Sequence, residues 1–302
     1  MRPPRPAIND TLNPADTRRR AEEAAASLPP LLVKAERVAA MVAQGEHHRR
    51  RAGTGDTFWQ YRRYQPGDSV QSIDWRQSAK SQIAFVRENE WEAAQNLYVW
   101  VDRSASMYWH SDPDLPTKAE RAVVMTLAVA SLMIRTGERI SLLDTAERPA
   151  AGRAVLSRLA AELSRADNAG TGVPPLQQLR RHSRVLLTGD FLDPVHELEH
   201  VVRTYSRQGI SGHLIQVCDP AEEALPFVGR TRFEGLEGEG TTLIGRVEAA
   251  REHYASLRGA HRKALSDVAR SCGWSFSITH TDRPVEPTLL ALHMLMAETE
   301  RA

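Results

Sequence analysis

The chain has 302 residues, 41% of them hydrophobic and 25% charged, the composition of a folded protein with room for one large core or two smaller ones. Lys plus Arg number 39 and Asp plus Glu 38, a formal net charge of +1, which gives no global electrostatic reason to expect nucleic acid or an anionic membrane surface as a partner. The two cysteines, Cys218 and Cys272, have no metal-binding spacing and form no CxxC pair; such sparse usage suits a reducing compartment and excludes a disulfide-built fold.

Residues 1–20 are rich in Pro and Arg with few large apolar side chains, and read as a flexible tail. The charged start, Met1 to Pro6, is followed by no apolar stretch of the kind an export signal carries. The longest apolar run, 122–134, is interrupted by Thr126 and Ser131 and falls short of the roughly 18–20 residues a membrane span needs. The expectation is a cytoplasmic protein with no membrane insertion. A helical segment is predicted over 21–46, interrupted by Pro29-Pro30 and stopped by Gly45.

Residues 47–95 differ. Stretches 58–64 and 83–87 have the aromatic and β-branched content of short strands, and Gln65-Pro66-Gly67-Asp68 between them is turn chemistry. This predicts a small β subdomain. Further on, strands over 97–101, 140–143, 185–187, 213–218 and 274–278 alternate with helices over 117–136, 153–166, 174–182, 194–208 and 247–271. On the last of these helices Val247, Tyr254, Leu257, His261, Ala264 and Val268 fall on one stripe. Residues 229–245, rich in Gly and Glu, read as a loop or hairpin insertion, and 286–302 as a C-terminal helix. The predicted fold class is α/β: a Rossmann-like, mainly parallel sheet over 96–285 with helices on both faces, plus the small N-terminal β subdomain. In such sheets ligand sites gather at the carboxyl ends of the strands.

At the end of the first core strand stands Asp102-Arg103-Ser104-Ala105-Ser106. This spacing puts one carboxylate and two hydroxyls around one point above the sheet. Thr171, in a Gly-rich loop, and Asp190, after the strand over 185–187, are candidates for two further oxygens. Asp102, Ser104, Ser106, Thr171 and Asp190 together form an all-oxygen set of the kind Mg2+ takes. No His, Lys or Glu lies inside the motif to serve as a base, so the set suits binding better than hydrolysis. The competing local reading is that Asp102, Ser104 and Ser106 simply cap a turn.

The Asp-x-Ser-x-Ser loop resembles the metal-ion-dependent adhesion site (MIDAS) of von Willebrand factor type A domains. A second block is more specific: Arg49-Arg50-Arg51-Ala52-Gly53-Thr54-Gly55-Asp56-Thr57-Phe58, then Arg63-Tyr64-Gln65-Pro66-Gly67-Asp68, then Ile73-Asp74-Trp75-Arg76-Gln77-Ser78-Ala79-Lys80, then Phe85-Val86-Arg87-Glu88-Asn89-Glu90. In that order these motifs resemble the Domain of Unknown Function 58 family, over about residues 30–220. The resemblance implies a bacterial, von Willebrand A-like protein. Its partner would be a MoxR-type AAA+ ATPase or one of that ATPase's clients, in chaperone-like or complex-maturation work. Asp102, Ser104 and Ser106 match the family's motif residue for residue. Thr171 matches more loosely, and Thr188-Gly189-Asp190 departs from the more usual Thr-Asp-Gly order.

The leading expectation is a non-enzymatic protein–protein interaction module with a Mg2+ site. One alternative is a metal-dependent hydrolase using Asp102 and Asp190, with His110 as the nearby base. Another is single-stranded nucleic-acid binding through residues 47–64, where basic and aromatic side chains alternate; the acidic residues close by argue against it. Trp75, set among charges, is predicted to be a buried anchor of the β subdomain on the α/β domain.

Overall fold

A computed structural model describes residues 30–47, 58–64, 73–80, 83–89, 95–165 and 170–299. The chain divides into two compact units: Ala43–Ala94, and Met1–Val42 together with Gln95–Ala302. The proposed tail, the turn at 65–68 and the Gly53/Gly55 pair lie outside the described residues.

In the smaller unit, β1 (Phe58–Arg63) pairs antiparallel with β2 (Phe85–Asn89), with a register shift between Phe58 and Gln60. The helix of α1 (Pro30–His47) ends just inside this unit. A four-residue helix, α2 (Trp75–Ser78), lies between the two strands in sequence. Asp74 caps it, its side chain accepting from Gln77 N at 2.8 Å. The Ser78 hydroxyl donates to Asp74 O at 2.7 Å and accepts from Phe85 N at 2.8 Å. These polar bonds close the cluster without the indole: α2 buries no residue, and Trp75 is 65% exposed. Within the smaller unit, then, Trp75 is not a buried residue.

The larger unit is built on a five-stranded sheet of order β4-β3-β5-β6-β9. Its strands are β3 (Asn96–Val101), β4 (Arg139–Leu142), β5 (Arg184–Gly189), β6 (Ser211–Cys218) and β9 (Ser275–His280), and every neighbouring pair is parallel. The class is α/β, as the alternation predicted. Strands buried on both faces need apolar side chains in both directions, and β3 supplies them. Tyr98 and Trp100 join a core with Val185, Leu187 and Leu214. Two helices cover that face, α5 (Val195–Arg207) through Val201, Val202 and Tyr205, and the C-terminal part of α7 (Val247–Ser271) through Leu265, Val268 and Ala269. The opposite face takes α3 (Lys118–Arg135), where Thr126 donates to the Thr188 hydroxyl. On α3 pack α4 (Arg153–Leu163) and α8 (Glu286–Thr299). Among the described side chains of α1, Leu32, Ala35, Val38, Ala39 and Val42 are buried at helical spacing.

Three local expectations change. No helix forms over 174–182. Pro174-Pro175 disfavours helical backbone before each proline, and the Tyr205 hydroxyl claims the backbone that a helix would use, donating to Pro175 O at 2.7 Å and accepting from Gln177 N at 3.2 Å. On α7 the buried side chains are Val247, Leu265, Val268 and Ala269, while Leu257 is 57% exposed. The covered stripe runs the length of the helix through Val247, Tyr254, His261, Leu265 and Val268, and passes through half-buried Arg258 in place of Leu257. A short helix, α6 (Pro220–Ala224), was not foreseen; Asp219 and Glu222 form its capping box. The insertion at 229–245 is a hairpin of β7 (Thr231–Glu234) and β8 (Thr241–Ile244).

Candidate metal site at the carboxyl end of the sheet

Asp102 N donates to Thr188 O at 2.9 Å. This carries the β3–β5 ladder one residue past Val101 and holds Asp102 at the carboxyl end of an interior strand. There the chain turns: Asp102 Oδ1 accepts from Ser104 N at 2.8 Å. Ser104 then precedes a 3-10 turn, Ala105–Tyr108, without using its hydroxyl as a cap. That hydroxyl lies 3.1 Å from the Ser106 hydroxyl, which donates to Asp190 Oδ2 at 2.7 Å. Asp102, Ser104, Ser106 and Asp190 are thus one connected set, and turn capping accounts for only one of its bonds.

The order Thr188-Gly189-Asp190 has a steric reason. A Cβ at Gly189 would lie 2.8 Å from Asp102 Cβ and 3.0 Å from its Oδ2, so the residue beside Asp102 has to be glycine for the carboxylate to stay where it is. Asp190 follows, at the strand end, and its Oδ1 accepts from Leu192 N at 3.3 Å. Phe191 between them takes a left-handed backbone, φ 51°, and its carbonyl is bonded to His261 Nε2 at 2.7 Å.

The loop at 170–172 also reaches this point. A Cβ at Gly172 would sit 2.0 Å from Asp193 Oδ2 and 3.7 Å from Asp102 Oδ2, and one at Gly170 would sit 2.7 Å from Arg103 Cβ. Thr171 itself is exposed, and its hydroxyl donates to Val173 O at 3.1 Å. The structure brings the Thr171 loop to the site and directs the Thr171 hydroxyl to a neighbouring carbonyl.

Three groups were not singled out from the sequence. Lys118, fully buried at the start of α3, places its ammonium 2.8 Å from Asp190 Oδ2 and also against Glu222. Burial alone would lower its pKa, but the two carboxylates outweigh that and raise it, so the ammonium is charged. A cation in the first turn of a helix opposes the helix dipole, and this mismatch was the one sequence signal that Lys118 answers to carboxylates elsewhere. The second group is Asp193, whose pKa is raised by burial and then by Glu237. The third is Glu237, from the β7–β8 hairpin, whose Oε1 accepts from Ser106 N at 3.1 Å. No local pattern could have linked it to a motif 131 residues away.

The donor set fits a hard divalent cation. Asp102 is fully buried, and its Oδ2 has no hydrogen-bond partner among the described residues, a costly state for a carboxylate unless a cation meets it. Burial first, and the charge of Asp190 second, push its pKa up to about 7. Around it stand Ser104, Ser106, Asp193 and Glu237, all offering oxygen, while Lys118 is committed to Asp190 and Glu222. His110, considered as a base, has its Nδ1 bonded to Asp112 O at 2.9 Å.

A second group, Cys218, Glu223 and His280, sits at the adjoining ends of β6 and β9 with potential ligand atoms within 4.8 Å of one another. It is poorly suited to a cation: Glu223 is held by Arg258 and Arg262, and burial pushes the Cys218 thiol up to about 11.

Residues 60–264 match the family described as protein of unknown function DUF58, and the chain belongs to that family. Among curated proteins it is similar to the uncharacterized protein Rv1480 of Mycobacterium tuberculosis and the uncharacterized protein Mb1516 of Mycobacterium bovis. Identity to each is 26% over 261 residues, covering 80% of this chain and 80% of theirs. Two solved structures are similar at 12% identity. The conserved hypothetical protein BatB from Bacteroides thetaiotaomicron has a TM-score of 0.39, over 68% of this chain and 100% of that one. An aerotolerance-related membrane protein from Bacteroides fragilis has a TM-score of 0.42, over 67% of this chain and 98% of that one. Among the described residues, no helix is long and apolar enough to cross a membrane.

Proposed function

We propose that this DUF58 chain is a non-enzymatic protein–protein interaction module. In this reading the sheet is von Willebrand A-like and its MIDAS-like site holds Mg2+. The observation that carries the reading is the unpartnered Oδ2 of fully buried Asp102 beside the Ser104 and Ser106 hydroxyls. Asp102, Ser104 and Ser106 would hold the ion, with Asp190 aligned behind Ser106 through its hydroxyl bond. Bound Mg2+ supplies a hard positive centre with room for an oxygen ligand from outside. The residues themselves orient and neutralise. Lys118 pairs with Asp190 and fixes it, and Gly189 lets Asp102 approach the neighbouring strand. The partner in this reading, from the family resemblance, is a MoxR-type AAA+ ATPase or its client, met in the cytoplasm.

The test is retention of a purified MoxR-type ATPase on the immobilised full chain, in MgCl2 and in EDTA, with wild type and Asp102→Ala. Retention that needs Mg2+ and falls at least tenfold in the variant is expected. Retention indifferent to both would move the interface away from this site, and a hydrolase activity abolished by Asp102→Ala would replace the reading with an enzymatic one.

A further inference from the structure

Resting on that reading of the site, we infer that Glu237 is an internal carboxylate ligand of the cation site, delivered by the β7–β8 hairpin, and that an acidic partner has to displace it. The hairpin loop is shaped for delivery. Gly235 N closes it onto Gly240 O at 2.8 Å, and Gly238 and Gly240 take positive φ of 92° and 87°, which side chains other than glycine's rarely adopt. Glu239 Oε2 accepts from Glu237 N at 2.9 Å and so fixes the backbone from which Glu237 projects. Glu237 Oε1 then meets Ser106 N at 3.1 Å, beside the hydroxyl that ties Ser106 to Asp190.

Stability alone does not explain this placement. The strand residues of the hairpin are largely exposed. Its apolar anchor is the edge-on contact of Phe233 with Phe227, ring centres 5.4 Å apart, and an isolated two-stranded hairpin is marginal. Yet its tip brings a third carboxylate onto the Asp-x-Ser-x-Ser loop, at the Ser106 backbone beside the hydroxyl bonded to Asp190. Like charges so placed repel. A cation between them turns the repulsion into attraction, and Asp102 Oδ2, buried with no hydrogen-bond partner among the described residues, is a second, independent oxygen left to meet one. With Glu237 supplying an oxygen, the site is closed until a carboxylate from outside takes its place.

The experiment is calorimetric titration of the full chain with MgCl2, for wild type, Glu237→Gln and Asp102→Asn, with hydrogen exchange of residues 231–244 followed with and without the ion. Glu237 is exposed, so its variant should fold as wild type. The expected result is Mg2+ affinity lower by at least roughly ten- to a hundredfold in Glu237→Gln, the loss that removing even an outer-shell partner of a metal ligand typically causes. Mg2+ should slow exchange in the hairpin of wild type but not of the variant. Acetate, as a free carboxylate probe, should bind Mg2+-loaded Glu237→Gln more tightly than loaded wild type. Unchanged affinity in Glu237→Gln, with binding lost in Asp102→Asn, overturns the role of Glu237 and leaves the site standing. Equal acetate binding overturns the displacement. Wild type that binds no Mg2+ overturns both the inference and the site.

Discussion

A single oxygen, Asp190 Oδ2, accepts from the Ser106 hydroxyl at 2.7 Å and from the Lys118 ammonium at 2.8 Å. Its partners do different work: Ser106 ties the Asp-x-Ser-x-Ser loop to the end of β5, Lys118 sets a buried positive charge against the Asp190 carboxylate, and Glu222 shares that ammonium. Breaking a buried ion pair from one side leaves an uncompensated charge, at a cost of about 3–5 kcal/mol. Lys118→Met should therefore lower the unfolding free energy by about that amount in urea titrations containing EDTA. If the proposed site takes Mg2+, MgCl2 should restore part of the loss, because an ion held by Asp102, Ser104 and Ser106 would set a positive charge near the freed Asp190. A loss that Mg2+ does not reduce would mean that the ion does not act on Asp190. Lys118 was missed in the sequence because a lone lysine before an apolar helix looks like a solvated end; only the return of β5 and α6 to the same point gives it partners.

At the scale of elements, cap and packing chemistry account for where things start and stop. α3 begins where Thr117 and Glu120 form a full capping box, a signature written in the local sequence. Thr117→Ala should cost about 1 kcal/mol, seen as a lower urea midpoint with an unchanged slope. β6 carries a constraint of a different kind. A Cβ at Gly212 would lie 2.4 Å from the Trp274 ring, and that ring is fixed by its Nε1–H donating to Ile210 O at 3.1 Å. Gly212→Ala should destabilise by about 1–3 kcal/mol, the usual cost of overpacking; thermal unfolding at wild-type temperature would show that Trp274 can move aside. The same contrast explains the lost helix at 174–182: its apolar spacing was helical, but two prolines and a tyrosine from α5 decide the backbone.

For the whole molecule, stability depends on pH, and His213 on β6 makes a contribution of definite sign. Burial first, and the Arg184 charge second, push its pKa from 6.5 down to about 4. Between those values the unfolded chain binds a proton that the folded chain refuses, so the His213 contribution is full above pH 6.5 and falls as pH drops to about 4, while Asp102, raised to about 7, contributes with the opposite sign over the same window. The single-site loss is on the order of 3 kcal/mol. His213→Gln should lose less stability than wild type on acidification across that window. A slope unchanged in the variant would assign the acid sensitivity to other groups.

The division between what the sequence determined and what required the tertiary structure follows the range of the forces. Alternating apolar strands and amphipathic helices specified the α/β class, because burial on two faces demands apolar residues whatever the neighbours are. The motif Asp102, Ser104 and Ser106 was legible because three oxygen-bearing side chains on one tight turn need no distant partner to be placed together. Asp190 was legible as a strand-end carboxylate, since parallel strands bring their carboxyl ends to one edge. The ion pair of Lys118, the approach of Gly172 and Asp193 to Asp102, the direction of the Thr171 hydroxyl and the reach of Glu237 across 131 residues to Ser106 depend on how separate elements meet. A local pattern carries no record of that meeting, because the energy holding each group in place is Coulombic or steric and belongs to pairs far apart along the chain.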